Sequence, residues 1–294
     1  MRYTLRQLEV FLAVARVDSV SRAAEGLAMS QSAVSGALSD LEDQFDVQLF
    51  DRIGKRLQLS AFGQAIRVRA EATLEQARDL ERALGDRKEM GQLRVGATLT
   101  IGNYVAVPLM ARFMRENPGA EVSLSVGNTE EIARQVTNFE IDVGLIEGEI
   151  EHAELDVTPW RDDQLAVFCA PLHPLARKRT LSDDDLRAAP WIVREVGSGT
   201  RQTFDRAMRG LLPELNIALA LQHTEAIKAA VVEGLGIGCI SRLALEDAFA
   251  RGILKPCRVP QRDFRRQFFF LLHAQKFRTT AIERWLELCR RDGV

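Results

Sequence analysis

The residues whose types and spacing best suggest a chemical role lie between positions 30 and 45 of the 294-residue chain. Val34, Leu38, Leu41 and Phe45 recur at helical spacing and predict one apolar helix face. Glutamine can bond both polar atoms of an adenine edge, and small neighbours permit close approach to the bases. The pattern predicts a helix that reads a DNA major groove, the alternative being an ordinary solvated face. The polar face consists of Gln31, Ser32, Ser35, Gly36 and Ser39.

The segments around this helix predict a small helical unit that positions it. Thr4 and Gln7 form a capping box for a first helix, and a second helix is predicted from Ser19 to Ala28. Ser30 caps the third helix, which is expected to run from Gln31 to about Gln44. These elements would place the groove-reading helix third in a three-helix domain.

The stretch VQLFDRIGKRLQLS follows the third helix and predicts a two-stranded hairpin, because apolar residues flank a turn at 53–55. The basic side chains at its tip would contact phosphates or enter the minor groove. A winged three-helix unit is the simplest description. The residues expected to contact DNA are Arg22, Ser30, Gln31, Ser32, Ser35, Gly36, Arg52, Lys55 and Arg56.

The charge balance lends this interpretation little support. The net charge of the chain is −2, and residues 1–58 carry seven basic against eight acidic side chains. Phosphate binding depends on positive charge at the contact surface. The basic cluster at the predicted hairpin therefore matters more than the sum.

The stretch from Ser60 to about Lys88 predicts one long helix, because it lacks proline and has glycine only near its ends. Apolar or small residues recur at alternating spacings of four and three, which is a coiled-coil seam. Since a helix between two domains has no core of its own, we expect the seam to pair with a second copy of the chain. Packing on its own domain is the alternative. The seam consists of Ile66, Ala70, Thr73, Ala77, Leu80 and Leu84.

From Gly91 onward, short β-rich runs alternate with helical segments, which indicates a parallel α/β sheet. The late strand RQFFFLLHA is expected to return to the first part of this sheet, so that two lobes joined by two crossovers enclose a cleft. Helices are predicted at 101–116, 129–138, 200–210, 225–233, 243–250 and 279–291.

The chain is thus expected to be an α+β multidomain protein. The expected domains are 1–59 for DNA binding, 60–89 as a linker helix and 90–294 for effector binding. Within the last domain, lobe I is expected at about 90–161 and 267–294, and lobe II at about 162–266.

Hydroxyl side chains and free backbone N–H groups coincide at three predicted helix starts of the α/β part. Helix N-termini favour negative charge, and in this fold such loops project into the cleft. The pattern predicts a small bound anion, although Ser and Thr are also ordinary helix caps. Glu147 is a further cleft candidate, and Arg201 is its candidate partner because an unpaired carboxylate would repel an anion. The other candidates are Thr98, Thr100, Ser198, Gly199, Thr200, His223 and Thr224.

Several stretches together carry a family resemblance: LRQLEVFLAVARVDSVSRAAEGLAMSQSAVSGALSDLE, QLFDRIGKRLQLSAFG, LRVGATLTIGNYVAVPLM, IDVGLIEG, REVGSGTRQTF and VVEGLGIGCIS. With the long helix, they resemble the LysR-type transcriptional regulators over the whole chain. The resemblance implies a winged helix-turn-helix, a coiled-coil linker and a periplasmic-binding-protein-like effector domain, usually assembled as a tetramer of two dimer types. The expected partners are promoter DNA, further copies of the chain and RNA polymerase.

Two details of the resemblance bear on specificity. Many family members have arginine where this chain has Gly36, so base readout would depend more on Gln31, Ser32 and Ser35. The EVGSGTR loop looks like the branch that contains regulators of carbon dioxide fixation and of sulfite or sulfur metabolism. Sulfite, sulfate or a phosphorylated metabolite are therefore the effectors to consider first, beside a larger or uncharged one.

Other protein classes receive little support from the sequence. The N-terminus has no signal-peptide core and no stretch is apolar enough for a membrane helix, so we expect a cytoplasmic protein rather than a secreted solute-binding protein. The four cysteines and four histidines are scattered, which disfavours a metal site. GSG at 197–199 and GLGIG at 234–238 lack the flanking patterns of a nucleophile elbow or a dinucleotide loop. No catalytic residue is expected.

Overall fold

The structure is a computed structural model that describes residues 2–53, 56–84 and 92–292. Thr4, Ser19 and Ser30 each accept a hydrogen bond from a backbone N–H in the first turn of the helix that follows. The second helix ends at Gly26, because Ala28 already has a left-handed φ of 51°. The predicted three-helix unit with a hairpin is confirmed. Its elements are α1 (Leu5–Val17), α2 (Val20–Gly26), α3 (Gln31–Phe45), β1 (Phe50–Ile53) and β2 (Arg56–Leu59).

One apolar core joins these elements. Val34, Leu38 and Leu41 of α3 are buried in it, as the helical spacing predicts. The fourth residue of that stripe, Phe45, is 42% exposed. It ends α3 beyond the core, where the ring packs beside Tyr3 with 6.3 Å between ring centroids. The apolar face of α3 therefore ends one turn earlier than the sequence pattern indicates.

The linker helix α4 (Ala61–Leu84) begins at the predicted cap, since Ser60 Oγ accepts a hydrogen bond from the Gly63 N–H at 2.9 Å. The predicted extension to 88 lies outside the described residues. Ala70 is buried in the core of the N-terminal unit, whereas Leu80 and Leu84 are 60% and 78% exposed. The two halves of the predicted seam thus differ: the first packs on its own domain and the second faces outward.

The C-terminal part contains a sheet of nine strands within the described residues, in the order β4-β3-β5-β11-β6-β9-β7-β8 with β10 paired to β6. Strands β3, β4 and β5 are parallel in lobe I, and β7, β8 and β9 are parallel in lobe II. The strands are β3 (Gln92–Thr98), β4 (Glu121–Gly127), β5 (Val143–Ile146), β6 (Leu155–Cys169), β7 (Pro190–Arg194), β8 (Asn216–Leu221), β9 (Ile237–Ser241), β10 (Lys255–Cys257) and β11 (Arg265–His273).

The two crossovers are long antiparallel strands at the centre of this sheet. β11 pairs with β6 from Arg265 to His273 and also with β5 of lobe I, while the end of β6 pairs with β9 of lobe II. The predicted return of the late strand to the first part of the sheet is confirmed. Because β6 runs unbroken through both lobes, β6 and β11 connect the lobes directly at the cleft.

The helices cover both faces of the sheet near the predicted positions. The segment predicted as one helix at 101–116 starts at Leu99 and contains a π-helical turn, Gly102–Ala106. The segment predicted at 243–250 begins with a 3₁₀ turn, Arg242–Ala244. The helices are α5 (Leu99–Ile101), α6 (Val107–Glu116), α7 (Thr129–Thr137), α8 (Asp183–Ala188), α9 (Gly199–Ala207), α10 (Thr224–Val232), α11 (Glu246–Ala250) and α12 (Thr280–Asp292).

In the part of the chain that the structure describes, no helix combines the length and the apolar character needed to cross a membrane. The same residues contain no group of three or more His, Cys, Asp or Glu side chains that could hold a metal ion.

Two glycines of the N-terminal domain give a matched pair of stability predictions. A Cβ atom at Gly63 would lie 2.1 Å from the Leu49 carbonyl oxygen, whereas a Cβ at Gly36 would have no atom within 4 Å. We expect Gly63→Ala to destabilise the domain by about 1–3 kcal/mol through overpacking. We expect Gly36→Ala to stabilise it by about 0.5–1 kcal/mol because alanine favours a helix interior. Urea unfolding followed by circular dichroism checks both, and equal stabilities would contradict the packing.

Candidate DNA-binding face and effector cleft

The outer face of α3 has the surface that the sequence pattern predicts. Gln31, Ser32, Ser35, Gly36 and Ser39 are all exposed, while Val34 and Leu38 on the opposite side are buried. The hydroxyl of Ser30 caps the helix, and its oxygen lies 3.0 Å from that of Ser32. The described part of α3 can therefore present small polar side chains to a groove without exposing its core.

The basic residues predicted to flank α3 are only partly described. Arg22 is exposed, and its Nη2 donates a hydrogen bond to the Val17 carbonyl at the end of α1. The backbones of Arg52 and Arg56 lie in the antiparallel hairpin, paired with Leu57 and Ile53 respectively. The side chains of both arginines and the whole of Lys55 lie outside the described residues, so their DNA contacts stay predictions.

The cleft is built where parallel strands of both lobes end. Thr98 ends β3, Thr129 follows β4, Glu147 follows β5 and Arg194 ends β7. In the sheet, Thr98 pairs with Gly127 at the end of β4, so the first three positions are neighbours along one sheet edge. The carboxyl ends of such strands are where open α/β sheets bind ligands. All four side chains are buried.

A buried ionic cluster, which we call the Arg266 junction, joins the two lobes. Arg266 Nη2 lies 2.5 Å from Glu147 Oε2, and its Nε donates to Asp163 Oδ2 at 2.7 Å. Its Nη1 donates to Thr200 Oγ1 at 3.0 Å, and that hydroxyl donates to Glu147 at 3.2 Å. Ser241 donates to Asp163 at 2.8 Å. The junction thus includes lobe I, lobe II and both crossover strands.

Glu147 is held in its charged form inside this cluster. Burial alone would raise the pKa of its carboxyl group, but the Arg266 charge and hydrogen bonding from Thr100 outweigh burial, so the pKa lies below its ordinary value. The Thr100 backbone N–H donates to Glu147 Oε1 at 3.1 Å. The protein's own carboxylate therefore fills one of the helix starts that the sequence pattern assigns to an external anion.

The expected pairing of Glu147 with Arg201 is wrong. Arg201 Nε pairs with Asp205 one turn along α9 at 2.7 Å, and its Nη1 donates to the Arg194 carbonyl. An i,i+4 partner on the same helix is in reach without crossing the cleft, whereas Arg266 approaches Glu147 directly from β11. Arg201 therefore supports the end of β7 rather than the cluster.

Of the other predicted cleft residues, some lie where the two lobes meet and others lie apart from the Arg266 junction. Gly199 packs closely against Gly148 of lobe I, since a Cβ atom at Gly199 would lie 2.4 Å from the Gly148 N. Ser198 is buried, and its side chain makes no cap hydrogen bond. His223 is exposed and Thr224 buried at the start of α10. Among the hydrogen bonds of the described residues, neither joins the Arg266 junction.

Three buried polar atoms at the strand ends have no hydrogen-bond partner among the described residues: Thr98 Oγ1, Thr129 Oγ1 and Arg194 Nη1. The other guanidinium nitrogens of Arg194 donate to Glu195 at 2.7 and 2.8 Å. Buried polar groups are normally satisfied, so such atoms call for an explanation. Two hydroxyls and a cationic N–H are together the donors that an oxyanion uses.

The sequence patterns missed Arg266, Arg194 and Thr129. Arg266 alternates with Phe268 and Phe270 on the buried face of β11, so a charge at an inward position of a period-two strand was the available signal. Arg194 likewise ends the buried run of β7.

A cavity of about 520 Å³ borders the junction and is lined in part by Gln202 and Arg209.

Two family models match this chain. The model of the bacterial regulatory helix-turn-helix protein, lysR family, matches residues 5–64. The model of the LysR substrate binding domain matches residues 86–293. The chain is a LysR-type transcriptional regulator. The predicted family membership and fold class are confirmed, and the family is one of transcriptional regulators rather than enzymes.

Similar proteins agree with this assignment. The regulator is 44% identical over 289 residues to the uncharacterized HTH-type transcriptional regulator YeiE of Escherichia coli K12, with 98% of each chain covered. It is 35% identical to the RuBisCO operon transcriptional regulator of Allochromatium vinosum, covering 84% of this chain and 82% of that one. The CcmR regulatory domain of Synechocystis PCC6803 in complex with 2-PG has a TM-score of 0.64 and 29% identity, covering 69% and 97%. The predicted branch with carbon-fixation regulators is confirmed.

The Arg266 junction gives a stability prediction. Arg266→Met leaves the buried carboxylates of Glu147 and Asp163 without their cation, and breaking such a cluster costs about 3–5 kcal/mol of unfolding free energy. Arg265→Met is the matched control, because that side chain is 79% exposed and should change stability very little. Urea unfolding of both variants measures the difference. Equal effects of the two substitutions would contradict a structural role for the cluster.

The same comparison has a predicted pH dependence. The folded pKa of Glu147 lies below its unfolded value of about 4.3, so its pairing stabilises the fold above that pH. This contribution is lost as the pH falls through the lower folded pKa. The stability difference between the native chain and Arg266→Met should therefore shrink below about pH 4. A constant difference from pH 7 to pH 3 would contradict the lowered pKa of Glu147 as the source of this pH dependence.

Proposed function

We propose that this regulator binds promoter DNA as a homodimer through α3 and the hairpin, and that a small anion in the interlobe cleft alters this binding. The unpartnered donors of Thr98, Thr129 and Arg194 carry the effector part of the proposal. The exposed polar face of α3 carries the DNA part.

The donor set favours a small oxyanion over a cation or an apolar ligand. Arg194 is 2% exposed and keeps one Nη without a partner in the described residues. The carboxylate of Glu147 is paired with Arg266 at 2.5 Å, which weakens its repulsion of an anion. Sulfite, sulfate and the phosphate of a phosphorylated metabolite all match this set. The 2-PG complex of the CcmR domain, at 29% identity, supports a metabolite in this fold.

A larger or uncharged effector is the second candidate. Two solvent-connected cavities of about 690 and 520 Å³ border Arg266 and Gln267 and have room for a larger ligand. Their walls include Arg206, Asp163 and Glu149, which suits a ligand with several polar groups. The small anion remains the favoured ligand, since the unpartnered donors lie at the strand ends and do not line these cavities.

An apolar groove beside α4 supports a dimer. Its volume is about 390 Å³, and Phe62 in its wall is 47% exposed. Leu80 and Leu84 on the far half of α4 are exposed as well. A second copy could cover both surfaces by laying its linker helix along this one, which is the arrangement that the seam predicts. The edge strands β4 and β8 expose Val126 and Leu219 and offer a further surface for a tetramer.

Contacts of the linker helix supply a route for coupling between cleft and DNA. Arg67 of α4 is buried and donates to both oxygens of Asn138, just beyond α7 in lobe I. One turn further along α4, Glu71 is 1% exposed and pairs with Arg16 of α1 at 2.7 Å. A shift of α7 on anion binding would therefore reach α1 of the DNA-binding domain through the buried side chains of Arg67 and Glu71 and the half-buried side chain of Arg16.

We expect Gln31→Ala to reduce discrimination between the preferred site and scrambled DNA by about 1–3 kcal/mol, because a bidentate base contact is lost. The preferred site can be obtained by selection from random sequences, and fluorescence anisotropy gives both affinities. Gln76→Ala is a control on the exposed surface of α4. An equal loss of affinity on both DNAs after Gln31→Ala would refute base reading by this residue.

We expect a small anion to stabilise the regulator through Thr129. A ligand at one hundred times its dissociation constant adds about 2.7 kcal/mol, so sulfite, sulfate and phosphate can be compared by thermal shift. Thr129→Val should abolish the shift. Thr137→Val on the same helix should keep it, because the Thr137 hydroxyl is already bonded to the Ala133 carbonyl. A shift that survives Thr129→Val would place the anion elsewhere.

A further inference from the structure

The thiols of Cys169 and Cys257 meet in the core of lobe II. Their sulfur atoms lie 3.4 Å apart, although the two residues are 88 positions apart in the chain. Cys169 is fully buried, and Cys257 is 9% exposed. Neither residue belongs to the cleft or to the DNA-binding face, so their contact is not explained by the proposed function.

Strand register brings the two side chains to one face. β10 is antiparallel to β6, with Lys255 opposite Cys169 and Cys257 opposite Val167. Because alternate residues of a strand share a face, Val167, Cys169 and Cys257 all point into the same core. The S–H of Cys257 and the nearby Lys255 charge lower the pKa of Cys169 although burial raises it, and the same contact raises the pKa of Cys257, so the thiolate is favoured at Cys169.

Small oxidants have a route to this pair. β10 has three residues and pairs only with β6 among the described strands. Local opening of this strand should therefore require little free energy. Cys257 and Val167 also line a solvent-connected cavity of about 680 Å³, bounded by Arg258 and Pro260. The other two cysteines lack such a neighbour: Cys239 and Cys289 are fully buried, and no thiol contact is described for either.

We propose that Cys169 and Cys257 form a reversible disulfide when the regulator meets a hydroperoxide. The Cys169 thiolate attacks the peroxide, forming an S–O bond as the O–O bond breaks, and the departing oxygen takes up a proton as water or an alcohol. The Cys257 thiol then loses its proton and attacks the Cys169 sulfur, forming the S–S bond as the sulfenic oxygen departs as water. Two thiols are oxidised by two electrons in total, and one peroxide is reduced.

The bond would tie β10 covalently to the crossover strand β6. From Cys257 the chain continues directly to β11, where Arg266 holds Glu147, Asp163 and Thr200. Oxidation would therefore restrain the segment that connects lobe II with the Arg266 junction. This site is independent of the anion site, and the two can be tested separately.

The test uses the full-length reduced protein and a small molar excess of hydrogen peroxide. After blocking free thiols with N-ethylmaleimide in denaturant, we expect the thiol count to fall from four to two per chain. Non-reducing peptide mapping should recover a cross-link between the Cys169 and Cys257 peptides, and dithiothreitol should restore four thiols. Retention of four thiols, or cross-links through Cys239 or Cys289, would overturn the proposal.

Two variants sharpen the result. In Cys257→Ser the disulfide should not form, and dimedone should trap a sulfenic acid at Cys169. In Cys289→Ser, which removes a thiol from the opposite lobe, the same cross-link should form and the count should fall from three to one. If dimedone labels another cysteine of Cys257→Ser after peroxide treatment, the assignment of Cys169 as the first thiol to react is contradicted.

Discussion

The buried guanidinium of Arg266 is the constraint on which the arrangement of the two lobes depends. It is held by Glu147 from lobe I, Asp163 from one crossover and Thr200 from lobe II, with about 6% of the residue exposed. Removing a charge from water is costly unless its partners are close and well placed. Arg266 can contact Glu147 and Thr200 at the same time only when the lobes are close together, so separating the lobes would break at least one of these contacts.

This cluster also occupies part of the anion site that the sequence predicts. The helix start at Thr100 is filled by Glu147, and pairing with Arg266 weakens the repulsion between that carboxylate and a ligand. The remaining donors are those of Thr98 and Thr129 at two neighbouring strand ends of lobe I and of Arg194 at the end of β7 in lobe II. In the proposed function, the Arg266 junction holds the lobes together and a separate set of donors offers hydrogen bonds to an external anion.

Local patterns in the sequence predicted the local structure well. Caps at Thr4, Ser19 and Ser30, the apolar spacing of α3 and the alternation of strands with helices are short-range signals, and the structure confirms the elements they indicate. Arg266 and Glu147 could not be paired in this way, because they are distant in sequence and meet only through the return of β11. The two halves of the α4 seam differ in burial for a related reason. Burial of Ala70 depends on a tertiary contact that the sequence periodicity does not reveal.

The central claim is that anion binding in the cleft and DNA binding by α3 are thermodynamically coupled. The most direct test measures both sides of the cycle with the anion that stabilises the regulator most: DNA affinity by anisotropy with and without anion, and anion affinity by calorimetry with and without DNA. Coupling requires the two ratios to be equal, and a typical coupling of about 1–3 kcal/mol corresponds to a change of about 5–150-fold. An anion that saturates the cleft while leaving DNA affinity unchanged would contradict the account.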